Sequence, residues 1–248
     1  MSTSHTNGSI QSTIFSHIPE IVHGYTTRSM GDMRKPLHAK ALTDSLGFSG
    51  YRLITPKQTH GNTVLLVDDT EECSGQLSAD GLMVTKRYAD AHRILIGVRT
   101  ADCMPILLSD KTGTTVAVIH AGWKGLYGSI ITSAVSSFTR MGIRPEDIYV
   151  SIGPSIGPCC YVVSQSLITD FEKKFDKHVI ISISHNNVWY LDLQKTAVSM
   201  FRALGVPGKQ IDSESLCTSC HNDMFFSYRK DSKATFGEIT GFIGFNFV

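Results

Sequence analysis

Three short segments of this chain place a histidine or a cysteine where an apolar run gives way to a turn. They are Lys57-Gln58-Thr59-His60-Gly61, Thr100-Ala101-Asp102-Cys103-Met104-Pro105 and Ile119-His120-Ala121-Gly122-Trp123-Lys124-Gly125. Two imidazoles and one thiolate make a borderline-soft donor set suited to zinc, and three protein ligands leave a fourth position for water or substrate. The residues alone leave the matter open. His60, Cys103 and His120 are too far apart in the chain to match a local zinc pattern. A lone cysteine is commonly a small core hydrophobe, and a histidine beside glycine is commonly a turn residue.

Other cysteines carry weaker signals. Cys217-Thr218-Ser219-Cys220-His221 matches the C-x-x-C-H pattern for covalent haem attachment. That chemistry normally requires export, and Met1–Thr13 has no apolar stretch of the kind that leads a chain out of the cell. Cys159 and Cys160 are adjacent, cannot easily bridge each other, and are expected to pack behind a Gly-Pro turn. A set of several copper ions would need clustered histidines, yet none of the 10 histidines forms a His-x-His pair.

The remainder of the sequence sets the frame for these groups. At 248 residues, with 42% hydrophobic and 18% charged side chains, the chain can bury a substantial core. A formal net charge of +1 gives no bulk field to recruit nucleic acid or an anionic membrane, so the expected partner is a small molecule. Residues 1–13 are polar and read as a disordered N-terminal tail, with residues 14–248 as one catalytic domain. No apolar run is long enough to span a bilayer. A cytoplasmic location follows as the expectation, and there cysteines serve as thiols, ligands or nucleophiles.

Strand-length apolar runs lie at 63–67, 82–85, 94–98, 106–108, 116–119 and 148–152. Apolar residues recurring every three or four positions predict helices over 126–141, 164–175 and 193–204, with Gly142 and Gly205 as stops. Strands cluster early and helices come later, which argues for an α+β fold with mixed β-sheets flanked by helices rather than regular βαβ alternation. Gly153-Pro154-Ser155-Ile156-Gly157-Pro158 puts prolines where a phosphate loop needs N–H donors, so no nucleotide fingerprint is present.

The three segments above, together with Ser78-Ala79-Asp80-Gly81, Gly153-Pro154-Ser155-Ile156-Gly157-Pro158-Cys159-Cys160-Tyr161 and Phe225-Phe226-Ser227-Tyr228-Arg229, resemble successive signatures of the YfiH family. The resemblance runs in order from about His23 to Ile243. This family was long labelled laccase-domain or multicopper polyphenol oxidoreductase and is now associated with purine nucleoside phosphorolysis and adenosine deamination. It implies a single domain of mixed sheets and a zinc site on His60, Cys103 and His120. It also implies phosphorolysis of adenosine, inosine, guanosine and methylthioadenosine, and hydrolytic deamination of adenosine. On that reading zinc lowers the pKa of a bound water for attack on C6 of adenine, while phosphate attacks the ribose C1′. Asp102 would either move a proton or orient a ligand, with orientation the preferred role. The turn Gly122–Gly125, leading into a helix near Leu126, would offer amides to phosphate. Lys124 would add charge there, and Arg28, Lys57 and Arg229 are further candidates. Trp123, Tyr127 and Phe226 could stack on a purine.

Some positions depart from the family pattern. Val162 stands where an acidic residue or Gln is usual, and Phe236-Gly237-Glu238 replaces a Thr-Gly-Arg ending. A Ser-Leu-Asn run is missing near Lys35-Pro36-Leu37. The family often carries Cys-Thr at the position of Cys217-Thr218, which favours a structural role there over haem. Two rival functions share the same residues. One is Cys103 acting as a metal-free nucleophile activated by His60 or His120, in an amidohydrolase or an editing step on cell-wall peptide precursors. The other is copper-dependent polyphenol oxidation, with copper present only as adventitious metal.

Overall fold

The computed structural model describes residues 4–6, 8–68, 78–175, 182–185, 188–213 and 215–246. Two six-stranded sheets dominate it. The first runs in spatial order β1 (Ser4–Thr6), β2 (Ser9–Gln11), β3 (Ile21–Thr26), β15 (Ile239–Phe245), β7 (Ile94–Thr100) and β4 (Arg52–Ile54). The second runs β14 (Ile211–Ser213), β10 (Ile148–Ile152), β8 (Met104–Asp110), β9 (Thr115–Ala121), β6 (Gly81–Thr85) and β5 (Val64–Leu66). A small third sheet orders β11 (Val162–Val163), β13 (Val188–Leu191) and β12 (Ser182–His185). Both large sheets are mixed: β4 with β7, β5 with β6 and β10 with β14 are parallel pairs among antiparallel ones. The α+β expectation with mixed sheets holds.

The apolar runs explain the layering. β8 and β9 are buried along their whole length, because side chains on both faces of the second sheet have apolar neighbours. One face sends Leu82, Val84, Leu107, Val116 and Val118 against Ile94, Ile96, Val98, Ile243 and Phe245 of the first sheet. The other face sends Met83, Ile106, Leu108, Ala117 and Ile119 against helices α4 (Ile130–Arg140), α5 (Gln165–Lys174) and α6 (Leu193–Ala203). On the far side of the first sheet, Val22, Leu95 and Phe242 are covered by Leu42 of α1 (Pro36–Ser45). The order of layers is helix, sheet, sheet, helices.

Local chemistry sets the helix limits. Ser164 accepts a hydrogen bond from the Leu167 amide, and Asp192 from the Lys195 amide, at the starts of α5 and α6. Gly142 and Gly205 follow α4 and α6 in the left-handed region, as expected of the stops. Sequence periodicity did not find α1 or α2 (Lys86–His92), because each buries few residues: Leu42 and Thr43 in α1, Ala89 in α2. Nor is 126–141 one helix. It divides into α3 (Trp123–Tyr127) and α4 at Ser129, which takes φ +70°. Leu126 and Ile130 sit in the same core, so the apolar period runs through the break.

The reading of residues 1–13 as a disordered tail is overturned from Ser9 onward. β2 pairs with β3, Ser9 opposite Thr26 and Ile10 opposite Tyr25, and Ile10 is fully buried against Phe225, Phe226 and Ile239. Among the polar side chains that suggested a tail, Ser12 is bonded: its Oγ donates to the Asp212 carboxylate. No helix among the described residues is long and apolar enough to cross a membrane. Ile10→Ala is expected to cost about 2–5 kcal/mol in urea unfolding, the cost of a buried cavity, whereas a true tail residue would change stability by less than about 0.5 kcal/mol.

Candidate active site

Strand register brings the three distant segments to one end of the second sheet. β8 and β9 form an antiparallel hairpin with Met104 opposite Ala121 and Pro105 opposite His120. Cys103, one residue before β8, therefore lies beside the end of β9. On the other edge of β9, Gly81 pairs with Ile119, so Asp80 falls next to His120, whose amide donates to the Asp80 carbonyl at 2.7 Å. The segment before β5 is held over this edge by a bridge between Lys57 and Ser78. Gly122 allows the close approach, since a Cβ there would stand 2.6 Å from Cys103 Sγ.

The ligating atoms of His60, Cys103 and His120 all lie within 4.8 Å of one another. The two imidazole rings are 4.7 Å apart and almost perpendicular, at 85°. His120 is buried, Cys103 half-buried and His60 exposed, which leaves one side of the trio open. His120 Nδ1 pairs with Asp80 Oδ1 at 2.8 Å, so Nε2 is the nitrogen left for a metal. Asp80 also accepts from the amides of Thr59, His60 and Gly61 and from the Thr59 hydroxyl. These bonds hold the His60 backbone at φ +61°, an uncommon conformation for a residue with a side chain.

Electrostatics follow from that arrangement. Burial alone would raise the Asp80 pKa, but the bonds from His120, Gly61 and Thr59 reverse this and hold it well below the usual carboxylate range. Burial also opposes ionisation of Cys103, yet His120 and His60 bring its thiol down to about 7. Burial disfavours the His120 cation, yet Asp80 and Cys103 raise it to about 9. Without metal, neutral pH therefore finds the Cys103 thiol about half ionised beside a His120 imidazolium. Two nitrogens and one sulfur with an open side fit a single zinc ion as a three-ligand site. Among the described residues no second group of histidines gathers that could hold further coppers.

The trio opens into a cavity of about 630 Å³, within the usual size for small-molecule sites. Lys57, Lys124 and Arg229 line it, and none of them forms an ion pair with another described residue. Trp123 lines it as well. Arg28 does not: it makes two 2.8 Å bonds to the Asp231 carboxylate and lies over the Phe226 ring. Tyr127 packs on Phe171, and Phe226 is buried beneath Arg28, so neither meets the cavity. The turn expected at Gly122–Gly125 is instead helical, with Gly122 capping α3 and the Leu126 amide already bonded to the Gly122 carbonyl at 2.9 Å.

Asp102 lies at the cavity wall but bonds elsewhere. It accepts from Thr218 Oγ1 at 2.7 Å and from the Arg229 amide at 2.8 Å, and so ties two loops together. The carboxylate that orients a candidate ligand is Asp80. The segment Ser78-Ala79-Asp80-Gly81 stands in the sequence as one of the family signatures, but with no role given to Asp80. Arg99, Tyr161 and Tyr228 also line the cavity; the two tyrosines stand in the family motifs without a role assigned to them there, and Arg99 carries no sequence signal. Of the departing positions, Glu238 faces the cavity and approaches Arg99 at 3.5 Å, while Val162 is solvent-exposed.

Asp80→Asn is expected to weaken zinc binding about 10–100-fold in a chelator competition, the usual cost of losing the group behind a ligating histidine. Zinc must also displace the His120 proton. Apparent affinity should then rise with pH up to about 9, the pKa of metal-free His120, and flatten above it. Zinc titrations from pH 6 to 10 with measured proton release check this. In the metal-free protein the linkage runs the opposite way: stabilisation from the raised His120 pKa is complete below about 6.5 and fades as pH climbs through about 9.

With the geometry described, its relatives can be named. The family model described as multi-copper polyphenol oxidoreductase laccase matches residues 27–246. Purine nucleoside phosphorylase YlmD of Geobacillus stearothermophilus is 31% identical, over 90% of this chain and 89% of that protein. Adenosine deaminase RL5, from an unknown prokaryotic organism, is 32% identical over 76% of this chain and 74% of its own. The crystal structure of YlmD from Geobacillus stearothermophilus superposes with a TM-score of 0.82 at 28% identity, covering 98% of both chains. From its fold, its edge-of-sheet histidine and cysteine trio and these likenesses, the chain belongs to the YfiH family of laccase-like domain proteins.

Proposed function

We propose that this enzyme is a zinc-dependent purine nucleoside phosphorylase acting on adenosine, inosine, guanosine and methylthioadenosine, with adenosine deaminase activity. The observation that carries the reading is the juxtaposition of His60, Cys103 and His120 with Lys57, Lys124 and Arg229 on one cavity of nucleoside size. The relatives named as purine nucleoside phosphorylase and adenosine deaminase support the substrate class. A cytoplasmic setting, in which thiols stay reduced, suits the cysteine ligand.

His60, Cys103 and His120 would hold the zinc, which when bound supplies a Lewis acid for a substrate or water oxygen. Lys57, Lys124 and Arg229 bind and orient phosphate through charge and N–H donors. A phosphate oxygen then attacks C1′ of the ribose. The bond from C1′ to the purine nitrogen breaks, and its electron pair leaves with the base. Burial raises the Tyr161 hydroxyl to about 12, so it keeps its proton at neutral pH and serves as a donor toward a departing base. Trp123 offers an apolar face to the purine. In deamination, water adds at C6 and ammonia departs.

One observation favours a second reading. A Cys103 thiolate beside a His120 imidazolium that is oriented by Asp80 also resembles a metal-free nucleophilic centre. Chelation separates the two: it should abolish zinc-dependent turnover and spare a thiol hydrolase. Adenosine followed by chromatography with and without phosphate should give phosphate-dependent adenine and phosphate-independent inosine. Both activities should fall more than about 100-fold in Cys103→Ser, together with the active-site zinc. Lys124→Ala should raise the KM for phosphate about tenfold, the loss of one charge-assisted hydrogen bond. An unchanged KM would remove Lys124 from the phosphate site.

A further inference from the structure

Four cysteines that the reaction does not use converge on one point. Cys159 and Cys160 come from the turn after β10, Cys217 and Cys220 from the segment after β14, and the four sulfurs lie within 4.8 Å of one another. Cys220 Sγ is 3.5 Å from both Cys159 Sγ and Cys160 Sγ. A zinc–sulfur distance of about 2.3 Å puts the sulfurs of a tetrahedral site about 3.8 Å apart, so the present spacings need only small adjustments. A disulfide would join Cys220 to one neighbour and leave the other three-way contacts without purpose. Four sulfurs within 4.8 Å of one another, with Cys220 equally near Cys159 and Cys160, instead describe donors gathered around a shared centre.

Backbone hydrogen bonds build this cluster. The Tyr161 amide donates to the Gly157 carbonyl at 2.9 Å and the His221 amide to the Cys217 carbonyl at 2.9 Å, so each cysteine pair rides on a tight turn. The two turns are zipped together: the Ser155 amide donates to the Leu216 carbonyl, and the Thr218 amide to the Ser155 carbonyl. The Gly157 amide donates to Cys217 Sγ at 3.2 Å, an interaction that favours a thiolate. His221 is turned away, its Nδ1 bonded to the Cys217 carbonyl, so it adds no fifth donor from that nitrogen. A cavity of about 760 Å³ reaches Cys159 and Cys217 from solvent and gives an ion a path in.

We propose that Cys159, Cys160, Cys217 and Cys220 form a second zinc site, a closed tetrathiolate centre that is structural rather than catalytic. Four soft anionic ligands in tetrahedral array select zinc among the divalent ions a cell offers, and they leave no open position for substrate. Binding releases the remaining thiol protons and changes no oxidation state. The centre clamps two loops that form the candidate active site. One carries Ile156 and Tyr161 into the cavity wall, and the other carries Thr218, which holds Asp102, and Arg229. It is a positioning device for those walls.

Metal content by plasma mass spectrometry, on protein purified under reducing conditions, tests the idea independently of the proposed reaction. A Cys103→Ser chain, lacking the catalytic ligand, should still carry one zinc per chain, and adding Cys220→Ser should remove it. Cobalt substitution of the Cys103→Ser chain should give the intense visible absorption of a tetrahedral cobalt tetrathiolate, absent from the double variant. A strong chelator should lower the Tm of the Cys103→Ser chain. Should Cys220→Ser fail to fold, exposed Cys159→Ser is the alternative, read by the same three measurements. No zinc in the Cys103→Ser chain, zinc retained after loss of Cys220, or a disulfide from Cys220 to Cys159 or Cys160 in peptide mapping would each overturn the proposal.

Discussion

A fully buried carboxylate, Asp80, ties together the segments on which the candidate active site depends. Taking a carboxylate out of water costs several kcal/mol unless its oxygens are satisfied. Here the Asp80 oxygens accept from three consecutive amides, one hydroxyl and the His120 ring. Each such bond fixes something the site needs. The amides set the path of the chain through His60, the ring bond selects the His120 nitrogen that faces Cys103, and the strand beginning at Gly81 fixes Asp80 itself beside β9. Loss of the carboxylate would loosen both histidines at once.

The sheet supplies the rigidity behind this. Asp80 and Cys103 directly precede strands, His120 is the last residue but one of β9, and the three strands concerned are neighbours with apolar layers on both faces. A group at the end of a doubly covered strand has little freedom to drift, so the positions of the ligating atoms follow from register. Loops furnish the remaining parts. Lys57, Lys124, Arg229 and the aromatic Tyr161 come from segments outside the large sheets, and those carrying Tyr161 and Arg229 are tied in through the cysteine turns and Asp102. The architecture separates a fixed edge, the candidate metal site, from a wall assembled largely from loops.

That division accounts for the unusual backbone at the site. His60 and Asp102 both adopt positive φ, at 61° and 86°. Such conformations persist where neighbouring bonds over-determine them. Asp80 holds the first, while Thr218 and the Arg229 amide grip the second. Asp102 therefore shapes the turn that presents Cys103, and its carboxylate is committed to that task.

The sequence by itself determined the elements whose information is local. Apolar runs marked five of the six strands of the second sheet, β14 (Ile211–Ser213) excepted, and β7 of the first, most clearly β8 and β9, which are buried throughout, and glycine stops marked the ends of α4 and α6. The types of His60, Cys103 and His120 declared a soft donor set, and the ordered motifs declared the family. Tertiary structure decided what depends on pairing between distant segments. Register made Asp80 rather than Asp102 the partner of His120. A salt bridge to Asp231 withdrew Arg28 from the cavity, and pairing with β3 turned a polar N-terminal stretch into a buried strand. The four cysteines looked like one haem decoy and one buried pair, since convergence between turns some sixty residues apart leaves no trace in local spacing. Composition and period report what a residue is and which face it shares with its near neighbours. Hydrogen-bond register between strands and loops decides which distant residue it meets.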